Sequence, residues 1–365
     1  MNMCKKIFIG ATGQHCGKTT ISLSLMHLAG KRYQRVGFIK PIGPKCIAYK
    51  GLTMDMDAAM IAGVYNLDAD AHLMSPMTLT PGMTRQFLDG NISPDYPQDV
   101  ILKAIEQLER KNDFLIIEGA GHGGVGSVVG MNNARTASLT GAPVLMVTGG
   151  GIGSVIDAVE LNLALYKETN ADVRLIMVNK LVPEKRERSL AYLRKAFASK
   201  NILVTSAFDY SPILAHPTLQ HVAELLELPL MGDPSERSRI CHTIQLGAAS
   251  SQRVIDHLED STLLIVTSSR DELIVTASSL HHIPDFKRRL TGLIISGHAP
   301  MSDITQQILE DSRIPYIRIE ETSSDVFSLL REHVSKIGTD DLEKIELVNS
   351  MAEQYIDFDT IDAML

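Results

Sequence analysis

The sequence predicts an α/β chain with a parallel-sheet domain followed by a second, smaller α/β domain. Three observations carry this reading. An apolar run, Lys6-Ile7-Phe8-Ile9, leads into the glycine-bearing loop Gly10-Ala11-Thr12-Gly13-Gln14-His15-Cys16-Gly17-Lys18-Thr19-Thr20 and then the helical start Ile21-Ser22-Leu23-Ser24-Leu25. From the start to about Leu230, short apolar strands alternate with helical stretches, which argues for a parallel sheet. After a linker at Met231-Gly232-Asp233-Pro234-Ser235 the same alternation resumes more compactly.

The opening strand, loop and helix make a phosphate cradle. Glycines let backbone N–H groups turn inward on phosphate oxygens, Lys18 can reach the β- and γ-phosphates, and the Thr19 hydroxyl at the helix N-terminus suits Mg²⁺. Gly13, Gln14, His15, Cys16, Gly17, Lys18, Thr19 and Thr20 are therefore the candidate nucleotide-binding residues of a P-loop NTPase-like parallel sheet domain. The spacing is irregular: the residue five before Gly17, usually glycine, is Thr12, with Gly10 and Gly13 on either side. The context, after a strand and opening a helix, is the one a P-loop requires.

Further strands are expected at Val36 to Lys40, Phe114 to Glu118, Val144 to Thr148, Leu175 to Asn179 and Ile202 to Thr205, each ending in polar or glycine residues. Ligands of open α/β sheets bind at the carboxyl ends of strands, so those ends matter most. The second strand closes with Lys40-Pro41, a lysine that either points into the anion site or is solvated. In Met54-Asp55-Met56-Asp57, acidic residues open a helix; N-capping accounts for one, and metal ligation is the sharper reading for Asp57. Ile116-Ile117-Glu118-Gly119-Ala120-Gly121 ends a buried strand in a carboxylate that can hold Mg²⁺ or order its waters, or else cap the next loop. Gly149-Gly150-Gly151-Ile152-Gly153-Ser154 is another strand-to-helix turn. Asn179, in Val178-Asn179-Lys180, can meet a purine edge or close a loop. A helix with Leu219, Val222, Leu225 and Leu226 is expected to close the first domain, at 1–230.

The second domain, 231–338, has strands expected at Ile240 to Leu246, Leu263 to Thr267, Leu290 to Ile295 and Tyr316 to Ile319, with helices between them. It has no P-loop. Its loops Ser268-Ser269-Arg270-Asp271-Glu272 and Ser296-Gly297-His298-Ala299-Pro300 lie at strand carboxyl ends and are candidates to line a small-anion pocket, with helix capping the alternative. His281-His282 read as solvated or capping residues, since neighbours in sequence do not converge on one helix face. The tail, 339–365, carries a helical apolar stripe of Leu342, Ile345, Val348, Ala352, Tyr355 and Ile356, expected to dock on the same chain or a second protomer.

Composition narrows the function. At 365 residues the chain suits two domains, and a net charge of -8 leaves no basic footprint for nucleic acid or an acidic membrane surface. Aromatics are scarce and tryptophan is absent, so a base-stacking platform is not expected. The four cysteines are scattered, as in cytosolic proteins with free thiols, and no segment reads as a signal peptide or membrane span. A cytoplasmic location is expected.

Taken together, the pieces Thr12 to Thr20, Lys40-Pro41, Asp57, Ile117-Glu118-Gly119-Ala120-Gly121 and Asn179 resemble the dethiobiotin synthetase-like P-loop family. That family includes dethiobiotin synthetase, the synthetase halves of the cobyrinic and cobyric acid enzymes, and the N-terminal region of long bacterial phosphate acetyltransferases. The short P-loop spacing is more like the acetyltransferase version. The second domain is similar to the DRTGG domain that follows this module there, its naming motif reduced to Ser268 to Glu272. The resemblance implies ATP and Mg²⁺ as cofactors, with Lys18 and the backbone from Gly13 to Thr19 on the phosphates. It further implies Thr19, Asp57 and Glu118 on Mg²⁺, Lys40 facing the γ-phosphate and acceptor, and Asn179 on adenine. Lys18 and Lys40 are the catalytic candidates.

Dethiobiotin synthetase carries small polar residues after its Lys-Pro, where this chain has Ile42-Gly43-Pro44-Lys45. The nucleotide machinery is thus better kept than the acceptor site, and the chain is expected to be the regulatory portion standing alone, without the acetyltransferase catalytic domain. The expectation is a Mg-ATP-binding regulatory protein or slow ATPase, with a small-molecule ligand at the second domain and a homodimeric assembly. The alternatives are an ATP-dependent carboxylate-activating ligase of the dethiobiotin synthetase or cobyrinic acid amidoligase type, and a scaffold with a vestigial P-loop.

Overall fold

The computed structural model describes residues 3–332 and 336–365. They form two compact units: the chain up to Tyr210 with Ile345–Leu365, and Ser211–Lys344.

The first unit is built on strands β1 (Lys5–Ala11), β2 (Val36–Ile39), β3 (Phe114–Glu118), β4 (Val144–Thr148), β5 (Val173–Leu181) and β6 (Leu203–Asp209), in the order β6-β5-β4-β1-β3-β2. All neighbours are parallel. Strands β3 and β4 are buried along their whole length, the reason their sequences are unbroken apolar runs with no alternation: helices cover both faces. Helix α1 (Lys18–Arg32) leaves the P-loop. Asp55 caps α2 (Met56–Tyr65) by accepting from the Asp57 N–H, and α3 (Tyr96–Lys111) buries Ile101, Ile105 and Leu108, one stripe at helical spacing. From β1 the chain runs to the edge strand β2, returns to β3, then passes to β4 on the other side of β1. The carboxyl end of β1 therefore lies where the crossovers diverge, the position where open α/β sheets hold ligands.

An antiparallel hairpin, Cys46–Tyr49 with Leu52–Asp55, has no counterpart in the sequence reading. Its two-residue turn, Lys50-Gly51, has positive φ at both positions, 46° and 84°. That is a primed hairpin turn, and glycine at its second position was the available signal.

The second unit is a parallel sheet of β7 (Thr243–Leu246), β8 (Thr262–Thr267), β9 (Leu290–Ser296) and β10 (Tyr316–Arg318), in sequential order. Strand β7 starts later than expected because Ile240 forms an antiparallel bridge with Thr218 and the Cys241 N–H donates to Pro217. Helix α4 (Leu219–Leu225) does not close the first unit: its Leu219, Val222 and Ala223 pack with Cys241, Leu263, Ile265 and Ile294 in the second. An apolar stripe shows that a helix must dock but not on which sheet. Of the two alternatives for His281, solvated or capping, the structure shows the capping one: its N–H donates to the Ala277 carbonyl at the end of the helix Asp271–Leu280, with the side chain 5% exposed and Nδ1 unpartnered. Burial pushes its pKa down to about 4, so it is neutral at pH 7. His282 is exposed.

The tail docks on its own chain. Most of α5 (Leu342–Tyr355) and all of α6 (Phe358–Ala363) belong to the first unit. The Phe358 ring lies 5.8 Å from that of Phe114, Tyr355 lies 6.3 Å from Phe208, and Ile361 is fully buried. Asp362 accepts from the Tyr33 hydroxyl and pairs with Lys5 at 3.0 Å. Burial would raise its carboxyl, but Tyr33, Lys5 and Arg32 outweigh that and hold it below the ordinary range. This contribution is therefore present above the unfolded value of about 3.9 and is lost as the pH falls through the lower folded value. Phe358→Ala is expected to lower the stability of this unit by about 3 kcal/mol, read as a shift in the urea midpoint. An unchanged midpoint would mean that the tail does not anchor there.

Among the described residues, no helix is long and apolar enough to cross a membrane.

Candidate functional site

The P-loop turns between β1 and α1. Its Thr12 N–H donates to Val147 O at 3.0 Å, and the Thr12 hydroxyl donates to the Thr148 hydroxyl at 3.1 Å, fixing the loop to the end of β4. Gly17 takes φ 92°. A Cβ there would stand 1.9 Å from the Asn179 amide nitrogen, so the position requires glycine for both its conformation and its space. Gln14 and His15 are exposed, Gly13, Cys16, Thr19 and Thr20 half-buried, and Lys18 buried.

Lys18 donates to the Gly121 carbonyl at 2.7 Å. Burial, reinforced by Lys40, pulls its ammonium below the ordinary lysine value against the opposing pull of Glu118. Thr19 donates to one Glu118 oxygen at 3.4 Å and Ser22, one turn further along α1, to the other at 2.5 Å. Glu118, at the end of β3, is completely buried.

Lys40, just past β2, is 4% exposed and is not a solvated lysine. Its ammonium sits among three carboxylates: Asp57, Asp55 at 3.2 Å and Glu118 at 3.2 Å. Burial pulls this group down, but Glu118, Asp57 and Asp55 together overcome it and hold the ammonium above the usual lysine range. Lys18, Thr19, Lys40, Asp57 and Glu118, drawn from four separate segments, thus converge at the carboxyl ends of β1, β2 and β3. Asp55, which N-capping explains, also belongs to this charge cluster.

Among the described residues no group of three or more His, Cys, Asp or Glu side chains is arranged as a metal cage. Thr19 and Glu118 nonetheless present oxygen atoms 3.4 Å apart at the cradle, the hard donors Mg²⁺ takes when phosphates and waters fill its remaining positions. On chemistry of donors, the residues present fit that ion.

The loop after Glu118 is pinned from two helices. Asn133, the first residue of the helix Asn133–Thr140, accepts from the Ala120 N–H at 3.1 Å and donates to the Ala120 and His122 carbonyls at 2.6 Å each. Asn162, in the helix Gly153–Glu168, accepts from the Gly123 N–H at 3.0 Å and donates to Thr12 O at 3.2 Å. Asn179 is 6% exposed and donates to the Cys16 carbonyl at 2.9 Å, while its oxygen accepts from the Lys180 N–H at 2.9 Å. Ser22, Asn133, Asn162 and Lys180 were not singled out from sequence. Lone polar residues carry no motif, and only Ser22, one turn beyond Thr19, stood at a spacing that could have suggested its role.

In the second unit the two candidate loops meet at the ends of β8 and β9, where their polar groups are largely engaged with one another. Arg270 donates to Gly247 O at 2.7 Å and Ala249 O at 2.9 Å, and pairs with Glu272 at 2.6 Å. Ser268 donates to Gly297 O at 3.5 Å. Arg318 donates to the carbonyls of Ile295, Ile319, Gly297 and Ala299.

Comparison with known proteins also finds two regions along the chain. Residues 5–234 match the AAA_26 family, described as an AAA domain, and residues 221–333 match the DRTGG domain. A phosphate acetyltransferase from Nitratidesulfovibrio vulgaris is 22% identical over 100% of this chain and 52% of its own length. An ATP-dependent dethiobiotin synthetase from Idiomarina loihiensis is 26% identical over 53% of this chain and 89% of its own. The chain thus spans about half the length of the phosphate acetyltransferases it matches. Among solved structures, an McdA variant in complex with ATP from Cyanothece superposes with TM-score 0.39 at 11% identity, covering 57% of this chain and 84% of that one.

Proposed function

Because the chain belongs to the AAA_26 family of AAA domains and continues into a DRTGG domain, we propose that it is a Mg-ATP-binding regulatory protein whose turnover of ATP is slow. The observation that carries this reading is the convergence of Lys18, Thr19, Lys40, Asp57 and Glu118 around one P-loop. In the proposed complex the backbone from Gly13 to Thr19 receives the phosphates and Lys18 leaves the Gly121 carbonyl for the β- and γ-phosphate oxygens. Thr19, with Asp57 and Glu118, holds Mg²⁺, which offsets phosphate charge when bound.

The setting of Lys40 favours binding over synthesis. A lysine that activates a carboxylate acceptor must offer it positive charge, and here three carboxylates already neutralise the ammonium. The second reading, an ATP-dependent carboxylate-activating ligase, is favoured by the match to dethiobiotin synthetase over the P-loop unit. ADP release measured with diamines, dicarboxylates and corrinoid acids separates the two. The expected result is slow release that no acceptor stimulates. Strong acceptor-dependent turnover, lost in Lys40→Ala, would replace the regulatory reading with the ligase.

As a regulator the protein would bias a partner or itself through nucleotide in the first unit and a small ligand in the second. A homodimer in the cytoplasm is the assembly that the family resemblance supports.

A further inference from the structure

We infer that the basic outer face of the helix Arg186–Phe197 and the acidic outer face of the helix Asp303–Ser312 are the two halves of a self-association contact, each seating against its complement on a second copy of this chain. The inference rests on the homodimeric reading above and deepens it by naming the surfaces that meet.

The basic face stands out against an acidic chain. Residues 180–200 hold seven Lys and Arg against two carboxylates, Glu184 and Glu187, while the chain as a whole carries a net charge of -8. The helix Arg186–Phe197 buries Ser189, Leu190, Leu193 and Phe197 on one side. Its other side presents Lys185, Arg188, Tyr192 and Lys195, all exposed and spaced at the three- and four-residue intervals of one helix face. Tyr192 is 47% exposed, with the Arg188 guanidinium 5.9 Å and the Lys195 ammonium 5.6 Å from its ring centre. Arg186 and Lys200 find carboxylates in their own chain, Asp209 and Glu160, each at 3.0 Å. Lys185, Arg188 and Lys195 have none among the described residues.

The helix Asp303–Ser312 is the counterpart. It buries Thr305, Leu309 and Ser312 and turns Asp303, Gln307, Glu310 and Asp311 outward, with Ile304 beside them 72% exposed. Asp303 and Asp311 have no cationic partner among the described residues. Glu310 accepts from the neutral Gln306 amide at 2.5 Å.

The two faces match in spacing. Arg188 and Lys195 are seven residues apart, as are Asp303 and Glu310, which is about 10.5 Å along a helix in each case. Laid antiparallel, Arg188 meets Glu310 and Lys195 meets Asp303, with Tyr192 and Gln307 between the two pairs. The helix dipoles favour that direction. Lys185 and Arg188 sit at the positive end of their own helix, and Glu310 and Asp311 at the negative end of theirs, so each set is opposed by its own dipole. An antiparallel neighbour reverses this, placing the cations beside a negative helix end and the carboxylates beside a positive one. The charge, spacing and direction of one face are thus all answered by the other, which makes the occupant a second copy and not an unrelated acidic protein. Each chain carries both faces, so a two-fold pair makes the contact twice.

Sedimentation velocity of the full chain over a concentration series, at about 50 mM and about 500 mM salt, tests this. Four proteins are compared: wild type, Arg188→Glu with Lys195→Glu, Asp303→Lys with Glu310→Lys, and the chain carrying all four substitutions. The positions are exposed, so each variant is expected to keep the wild-type fold, checked by circular dichroism. Wild type is expected to dimerise at low salt and to weaken at high salt. Each double variant sets like charges face to face and is expected to associate about a hundredfold more weakly. The fourfold variant, its charges exchanged, is expected to recover the wild-type association.

If either double variant associates as wild type does, the homodimer stands on another surface and the inference is overturned. A fourfold variant that stays dissociated would overturn it too, since the two faces would then not meet each other. A wild-type chain that is monomeric at every concentration and at both salts would instead overturn the homodimeric reading on which the inference rests.

Discussion

Lys40→Met is expected to destabilise the first unit by about 3–5 kcal/mol, the cost of removing one partner from a buried ionic cluster. The substitution conserves length and apolar bulk, so the loss is electrostatic: Asp55, Asp57 and Glu118 remain packed with no ammonium between them. The pH dependence gives the effect a signature. In the wild type the raised ammonium of Lys40 supplies its full contribution through neutral pH, and loses it only as the pH rises beyond the usual lysine range of about 10.4. In the variant the uncompensated carboxylates bind protons more readily in the folded state than in the unfolded one, so its deficit shrinks as the pH is lowered below 7. Urea unfolding at several pH values reads both parts. A deficit under 1 kcal/mol at pH 7, about that of an exposed pair, would show that the cluster is solvated.

The second large effect concerns Lys18. Burial holds its ammonium below the ordinary value, yet phosphate recognition requires the charged form. Nucleotide affinity is therefore expected to be full at neutral pH and to fall as the pH rises, beginning below the range in which an exposed lysine titrates. Bound phosphate opposes that fall by stabilising the ammonium, so binding at alkaline pH is accompanied by proton uptake onto Lys18, which titration calorimetry in buffers of different ionisation enthalpy detects. Affinity independent of pH up to about 10 would mean that Lys18 is not the group on the phosphates. Lys18→Ala removes the charge outright and should cost roughly a hundredfold in affinity, the equivalent of about 2.7 kcal/mol.

How much of this was legible beforehand depends on whether the feature is local. The strands of both sheets were readable because buried parallel strands leave short apolar runs, as in Phe114-Leu115-Ile116-Ile117 and Val144-Leu145-Met146-Val147. The cradle was readable despite Thr12, since Gly17-Lys18-Thr19 opens a helix directly after a strand. What could not be read was pairing across the chain. The burial of Lys40 follows from residues 15 to 78 positions away, Asp55, Asp57 and Glu118, and no local pattern announces it. The same holds for Asn162 on the Thr12 carbonyl. Helix α4 was assigned to the wrong neighbour because Leu219 and Val222 mark a buried face without naming its partner. That His281 caps its helix was among the alternatives its sequence offered, but the depth at which its ring lies was not, since nothing local announces that burial.

The tail shows the reverse case. Its stripe of Ile345, Val348 and Ala352 correctly demanded a surface to pack on. That surface proved to be the first unit of the same chain, with Phe358 against Phe114 and Asp362 against Tyr33 and Lys5.

The central claim is that the loop from Gly13 to Thr19 is a working phosphate cradle for Mg-ATP. Equilibrium titration of the full chain with ATP in Mg²⁺, wild type beside Lys18→Ala, tests it most directly. The account predicts saturable binding by the wild type and roughly a hundredfold weaker binding by the variant, with its fold intact by circular dichroism. Equal affinity in the two proteins, or no binding in either, would contradict it.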